Sequence, residues 1–483
     1  MVDANERPNR SSAPAATPAR ATIMLGDRSL ELDDIRAFAD DRARAEYSPA
    51  AGRTIAVAHE TLLRLAATRP VYGLSTGVGA RRSVAVVRDR ESCLRLWRSH
   101  ALQFGPAADP ERVRAMLLIR ANQLARGGSG VSPALADALL AAATREDPPT
   151  IAFGGALGTG DLGALAALAL QITADEPTGP FAASDGLPFM SSSALTLADA
   201  SLTLVDLDRA LDAAVALGAA SARALRTTAE HFAAAAFEDR HWAIRDAAAR
   251  LAPSGADSTP RVQDPFSMRL LPQSLGSVRL SWERCREATL AEVNGAHENP
   301  RVFADEQLIA HTGNFYTVDL ELACGTLLRA LAQDASLLLA RLGLLMNPRY
   351  TGQAEFLGDG TPDATGAMML EYLAAAALAD IRDLAAAHGG HGVHLSLGAE
   401  EHAPFTPQAV RRLRQATESY RTMLACFAVA LRRLPGLDDL LVGLPEQHGG
   451  LEDRDLSGEL ADTVSVLDRI RLGESHDRTE GRR

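Results

Sequence analysis

The chain has 483 residues, is 47% hydrophobic and 23% charged, and carries a net charge of −12. That length supports a large buried core, and an acidic chain with no basic cluster excludes a nucleic-acid binder, which must face phosphates with cations. All 49 basic residues are arginine, which excludes pyridoxal phosphate enzymes, whose cofactor sits on a lysine, and P-loop enzymes, whose lysine reaches the phosphates.

Only 5% of the residues are aromatic and Ala and Leu dominate, so a mainly α fold is predicted. Residues 1–22 lack the apolar segment of a secretory signal and read as a disordered tail, as do residues 473–483. Residues 30–46 and 53–68 predict two amphipathic helices, and 87–103 and 110–126 a further pair closed by Gly127-Gly128-Ser129-Gly130. An apolar helix is expected from about Asp161. Long helices are expected at 193–236, 276–296, 316–346, 363–388 and 407–433, and several long helices in one chain imply a bundle that buries their apolar stripes mutually. Residues 23–472 are therefore expected to form one helical body, an N-terminal lobe to about 190 followed by a central long-helix bundle over about 191–472. Every run of 18 residues contains a charge or a turn residue, so no membrane span is predicted. Cys93, Cys285, Cys324 and Cys426 are far apart with no CxxC, which fits reduced thiols in the cytoplasm and argues against a disulfide framework or zinc knuckle.

One loop carries unusual chemistry. In Gly154-Gly155-Ala156-Leu157-Gly158-Thr159-Gly160-Asp161-Leu162, a hydroxyl residue is flanked by two glycines. Such a tripeptide can cyclise: the amide nitrogen of the third residue attacks the carbonyl of the first, and glycine at the third position removes the side chain that would block the approach. Loss of water from the middle residue then leaves an exocyclic double bond, an electrophile made from backbone alone. The plainer reading is a loop feeding a helix, with Thr159 or Asp161 as its N-cap.

The segment resembles the signature Gly-Ser-x-Gly-Ala-Ser-Gly-Asp-Leu of the histidine and aromatic amino acid ammonia-lyases, whose Ala-Ser-Gly forms the methylidene-imidazolone (MIO) electrophile. Other landmarks follow in the family's order. Tyr72-Gly73-Leu74-Ser75-Thr76-Gly77-Val78-Gly79 resembles Tyr-Gly-x-x-Thr-Gly-x-Gly, which implies that Tyr72 is the catalytic base. A tyrosine, with an ordinary pKa of ~10, needs a positive field for that role, and helix N-termini are one source. Ser99-His100-Ala101 resembles the histidine-specific members and implies that His100 contacts the substrate side chain. Gln263-Asp264-Pro265-Phe266-Ser267-Met268-Arg269 resembles Gln-Asp-x-Tyr-Ser-x-Arg, which implies that Arg269 holds the substrate carboxylate as a fork, beside Gln263 and Phe266. Asn294 with Glu298-Asn299-Pro300 resembles Asn-Ser-x-x-Asp-Asn-Pro. Thr312-Gly313-Asn314-Phe315 resembles Gly-Gly-Asn-Phe and implies Asn314 near the carboxylate or electrophile and Phe315 near the ring. Ala399-Glu400-Glu401-His402 resembles Gln-Glu-Asp-His and implies Glu400 near the substrate amine.

The resemblance runs from about residue 25 to about 430. It implies a long central helix bundle of the ammonia-lyase (fumarase/aspartase-like) type, a homotetramer with sites shared between three subunits, and a small amino-acid-like substrate. The departures fall at the site. Thr159 replaces the serine, so that dehydration would leave an extra methyl on the electrophilic carbon. Gly158 replaces the alanine and is expected to loosen the loop. Phe266 replaces a tyrosine, and Ser191 replaces the asparagine of Asn-Gly-Thr, a donor to the electrophile. Loss of one preorganised donor costs ~10²–10³ in rate.

Three readings follow. The first is a carbon–nitrogen lyase or aminomutase with the electrophile formed from Gly158-Thr159-Gly160. The second is an enzyme of specialised metabolism on the same scaffold without the electrophile, using Tyr72 and Glu400 as base and acid. The third is a non-catalytic binding homologue. His388, His391 and His394 have a spacing that a metal could use, but the intervening glycines break any helix. Loop histidines are the plainer reading, and no metal is expected.

Overall fold

The computed structural model describes residues 20–467 apart from 146, 253–260, 387–391, 442 and 446–448. Helix makes up 58% and strand 7%, the mainly α class that the Ala- and Leu-rich composition predicts. Five long helices form the centre: α1 (Ala194–Ala224), α2 (Leu271–Val293), α3 (Val318–Leu345), α4 (Met369–Ala385) and α5 (Thr406–Arg432). α5 packs on α1, α3 and α4, and α2 packs on α1 and α3. α1 is buried over most of its surface, because Ala and Leu recur on every face rather than on one stripe. α3 is long and apolar enough to cross a bilayer. Here it is a bundle helix, with Leu327, Leu331, Leu338 and Leu342 buried among its neighbours and the charged Asp334 and Arg341 buried beside them.

Shorter helices surround this centre, several with legible starts. Ser48-Pro49, Asp109-Pro110 and Ser132-Pro133 each place a capping side chain before a proline that needs no N–H donor. The expected helix over 30–46 is corrected. The helix covers only Leu32–Ala39, Asp41 turns with φ +58°, and Ala43–Tyr47 is a strand parallel to Ala21–Leu25. Its period is two, with Ala43 and Ala45 inward and Arg44 and Glu46 outward. The first strand also begins inside the segment read as a tail. The helix expected at 193–236 ends at Ala224, where Arg226 turns with φ +50°. The helix Pro133–Ala143 was not predicted, since its near-uniform apolarity shows no periodicity. Two antiparallel hairpins, Arg301–Phe303 with Leu308–Ala310 and Gly392–Leu395 with Glu400–His402, close loops beside the ends of the bundle helices.

Candidate active site

The Gly158-Thr159-Gly160 loop is clamped from two sides. Thr317, which immediately precedes α3, donates to the Gly158 carbonyl from its backbone N–H (3.2 Å) and its hydroxyl (3.0 Å). At the start of α5, Phe405 N donates to Leu157 O (2.8 Å) and the Gln408 side chain donates to Ala156 O (2.9 Å). Gly158 has φ +89°, and a Cβ there would stand 2.6 Å from Pro404 Cγ and 2.8 Å from Thr406 Oγ1. The expectation that glycine loosens the loop is therefore corrected. Glycine is the residue this packing admits, and its carbonyl is fixed by two donors.

Asp161 is the N-cap residue of the next helix by backbone position, but its carboxylate points elsewhere. It accepts from Thr196 N and Thr196 Oγ1, both at 2.8 Å, and its own N–H donates to Ser192 O at 2.7 Å. These bonds tie the loop to the start of α1. Burial pushes the Asp161 carboxyl up from 3.8 to about 6. The sign follows. The folded state holds this proton more tightly than the unfolded state, so the contribution is complete below pH about 4 and lost as pH rises through about 6. Stability from this group falls across that window by about 3 kcal/mol. Asp161→Asn should remove the decline, which thermal melts of the two proteins across pH 4–7 would measure. Parallel curves would count against it.

Other segments close a ring around this loop. Gly73 packs on Leu187 in the short helix Gly186–Met190 that leads into Ser191. Tyr72 N donates to His311 Nε2 (3.1 Å), a neutral ring nitrogen whose pKa is held low by burial and then by Arg69. Thr312 N donates to Asn299 Oδ1 (3.0 Å), and Asn299 N donates to Ser191 Oγ (2.9 Å). Tyr72 is half-buried, and its hydroxyl accepts from Gly79 N at 2.8 Å. Gly79 lies against Ser396, whose hydroxyl accepts from Ala80 N at 2.7 Å, and close to the Glu400 carboxylate. Arg88 donates to Gly73 O (2.7 Å) and Thr76 O (3.5 Å). It is thus a fixed positive charge beneath the Tyr72 loop that motif reading missed.

Tyr72, Gly158, Thr159, Gly160, Ser191, Asn314, Phe315 and Glu400 thus lie on segments bonded or packed to one another. Ser191 and Phe315 line one pocket with Thr317, Ser192 and Ser193. His100 ends its helix against Gly163, just beyond the loop, and its Nδ1 lies 2.9 Å from Leu96 O and 3.1 Å from Ser99 Oγ. Thr317 belongs to the ring although no motif included it, and Asn299 joins it from a motif that assigned it no role.

Gln263, Phe266 and Arg269 gather elsewhere. Arg269 Nη1 donates to Gln263 Oε1 at 2.8 Å, and its guanidinium sits 5.3 Å from the Phe266 ring centre. Asp264 holds this turn by accepting from Arg261 and Thr228 N, with His231 Nε2 3.1 Å from its carboxylate. Arg341, near the end of α3, donates to Ser267 O (3.3 Å), whereas Thr317 at the start of α3 holds Gly158. Twenty-four residues of helix separate those anchors, which is about 36 Å at 1.5 Å per residue. One chain therefore does not bring Arg269 to Thr159. Phe266 is 66% exposed among the described residues.

His388 and His391 lie outside the described residues, and His394 is exposed in the Gly392–Leu395 strand. Among the described residues no group of three metal-binding side chains converges.

The family model for aromatic amino acid lyases matches residues 30–437. The chain is 31% identical to a histidine ammonia-lyase of Symbiobacterium thermophilum, over 83% of this chain and 86% of that protein. Among solved structures it is similar to the ergothioneine-degrading ergothionase of Treponema denticola, with TM-score 0.83, 21% identity and coverage of 93% and 99% of the two chains. It is also similar to the phenylalanine aminomutase of Pantoea agglomerans, with TM-score 0.83, 19% identity and coverage of 93% and 99%.

Proposed function

The chain belongs to the aromatic amino acid lyase family, and on that premise we propose that it cleaves or shifts the carbon–nitrogen bond of a small amino acid, with Tyr72 as base. The observation that carries this reading is the clamped loop. Two donors on the Gly158 carbonyl oxygen polarise the carbon that the Gly160 nitrogen must attack, and positive φ at Gly158 and Gly160 bends the tripeptide on itself. The residues present therefore fit an MIO group formed from Gly158, Thr159 and Gly160. Such a group supplies an electrophilic carbon for the substrate amine. Tyr72 takes the proton from the carbon beside the one bearing the amine. Arg88 braces the Tyr72 loop through the Gly73 carbonyl, and Glu400 across from Gly79 faces the amine.

Arg269 serves this chemistry from a neighbouring subunit. The anchors of its turn and of the loop stand about 36 Å apart along α3, which supports a homo-oligomeric site, with Gln263, Phe266 and Arg269 laid over the Tyr72 loop of another copy. Mixing subunits tests this. Tyr72→Phe and Arg269→Ala proteins, each inactive alone, should regain a fraction of wild-type turnover when dissociated and reassembled together. Persistent inactivity of the reassembled mixture would place the two residues in unrelated sites.

A second reading is favoured by Thr159, Ser191 and Phe266 together, which remove the serine, the asparagine and the tyrosine expected around the electrophile. In it the scaffold works without the group, and Tyr72 and Glu400 act as base and acid on a different substrate. The intact mass of the purified protein decides between them. A deficit of two waters in the peptide containing Gly158-Thr159-Gly160 is the expected result, with ammonia released from histidine, tyrosine or phenylalanine. A mass equal to the encoded chain would sink the electrophilic mechanism.

A further inference from the structure

The pocket lined by Ser191 and Phe315 has a deeper wall to which no motif assigns a role. It is lined by Gln123, Ser191–Ser193, Glu292, His297, Glu298, Phe315 and Thr317, and leaves about 10 Å³ for the centre of an occupant, which is room for one water-sized molecule. Its lining is anionic. Glu298 is 1% exposed; its Oε1 accepts from Arg120 at 2.9 Å, while its Oε2 is buried with no hydrogen-bond partner among the described residues. A second carboxylate, Glu292, lies in the same wall with His297 Nε2 at 3.6 Å, and burial raises its pKa. Leaving a buried carboxylate oxygen unpaired is costly, so a donor is needed there. His297 is seated by a neighbour: a Cβ on Gly295, where the family block has serine, would collide with its ring. The pocket shares Ser192 and Thr317 with the wall that holds the Gly158–Gly160 loop.

We propose that this pocket is an ammonium subsite, in which an NH₄⁺ ion leaving the loop is held between Glu298 Oε2 and Glu292. The size admits one water-sized ion, and four N–H donors suit a wall of carboxylate, hydroxyl and amide oxygens. The assignment rests on the lyase reading for the source of the ammonium, but not for its test. Crystals of the full-length protein with sodium as the sole cation, soaked in thallium(I), should show an anomalous peak about 3 Å from Glu298 Oε2. Ammonium should displace that peak more effectively than potassium at equal concentration. Glu292→Gln, which leaves the Arg120–Glu298 pair intact, should weaken the peak severalfold. Absence of a peak, displacement by potassium as effective as by ammonium, or a peak unchanged in Glu292→Gln would overturn the proposal. A thallium site in a protein that releases no ammonia from any amino acid would overturn the lyase reading alone, so the two failures are distinguishable.

Discussion

Tyr72→Phe is expected to lower kcat by about 10²–10⁴, the range that a positioned general base supplies. The substitution keeps the half-buried ring and removes the hydroxyl that accepts from Gly79 N at 2.8 Å. The folding cost should stay near 1 kcal/mol, because one half-buried N–H loses one acceptor. The two effects therefore separate by size. KM should change little, since a base acts on the reacting proton and not on the bound ground state. Ammonia release at saturating amino acid, with a thermal melt of the same preparation, measures both. Turnover within about tenfold of wild type would remove Tyr72 from the base role.

Arg120→Met is expected to destabilise the fold by about 3–5 kcal/mol, the cost of stranding one member of a buried ion pair. Arg120 and Glu298 have side chains 0% and 1% exposed, and their charged atoms stand 2.9 Å apart. The same guanidinium donates to Phe189 O (3.2 Å) and Pro188 O (2.7 Å). The substitution thus leaves a buried carboxylate and two carbonyls without their donor. Those carbonyls belong to the short helix that leads into Ser191, so activity should fall with stability. Pairing it with Glu298→Leu should recover part of the loss, because the buried charge goes too. Denaturant unfolding midpoints of the single and double variants measure this, and a double variant as unstable as the single one would refute the charge argument.

Much of the site was legible because its parts are short contiguous strings. The Tyr72–Gly79 loop, the Gly158-Thr159-Gly160 tripeptide and the Asn314-Phe315 pair each declare themselves by glycines at fixed offsets beside a functional side chain. Arg88, Thr317 and Thr196 were not legible. Each acts through a bond to a backbone carbonyl or a buried carboxylate far along the chain, and no local pattern marks such a partner. The effect of Gly158 was read in the wrong direction for the same reason. Local chemistry says that glycine loosens a loop, whereas Pro404 and Thr406 arrive from elsewhere and fill the space that a side chain would need.

By itself the sequence determined the mainly α class, the approximate positions of the long helices and the short motifs that mark the family. Those features depend on composition, periodicity and contiguous motifs, and all three act over a few turns of chain. Only the tertiary structure decided that residues 43–47 form a strand, that Asp161 serves Thr196 rather than its own helix, and that the turn carrying Arg269 is anchored at the opposite end of α3 from the loop it was expected to serve. Each of these turns on which distant segment supplies the partner, and burial and hydrogen-bond satisfaction across the whole fold settle that choice.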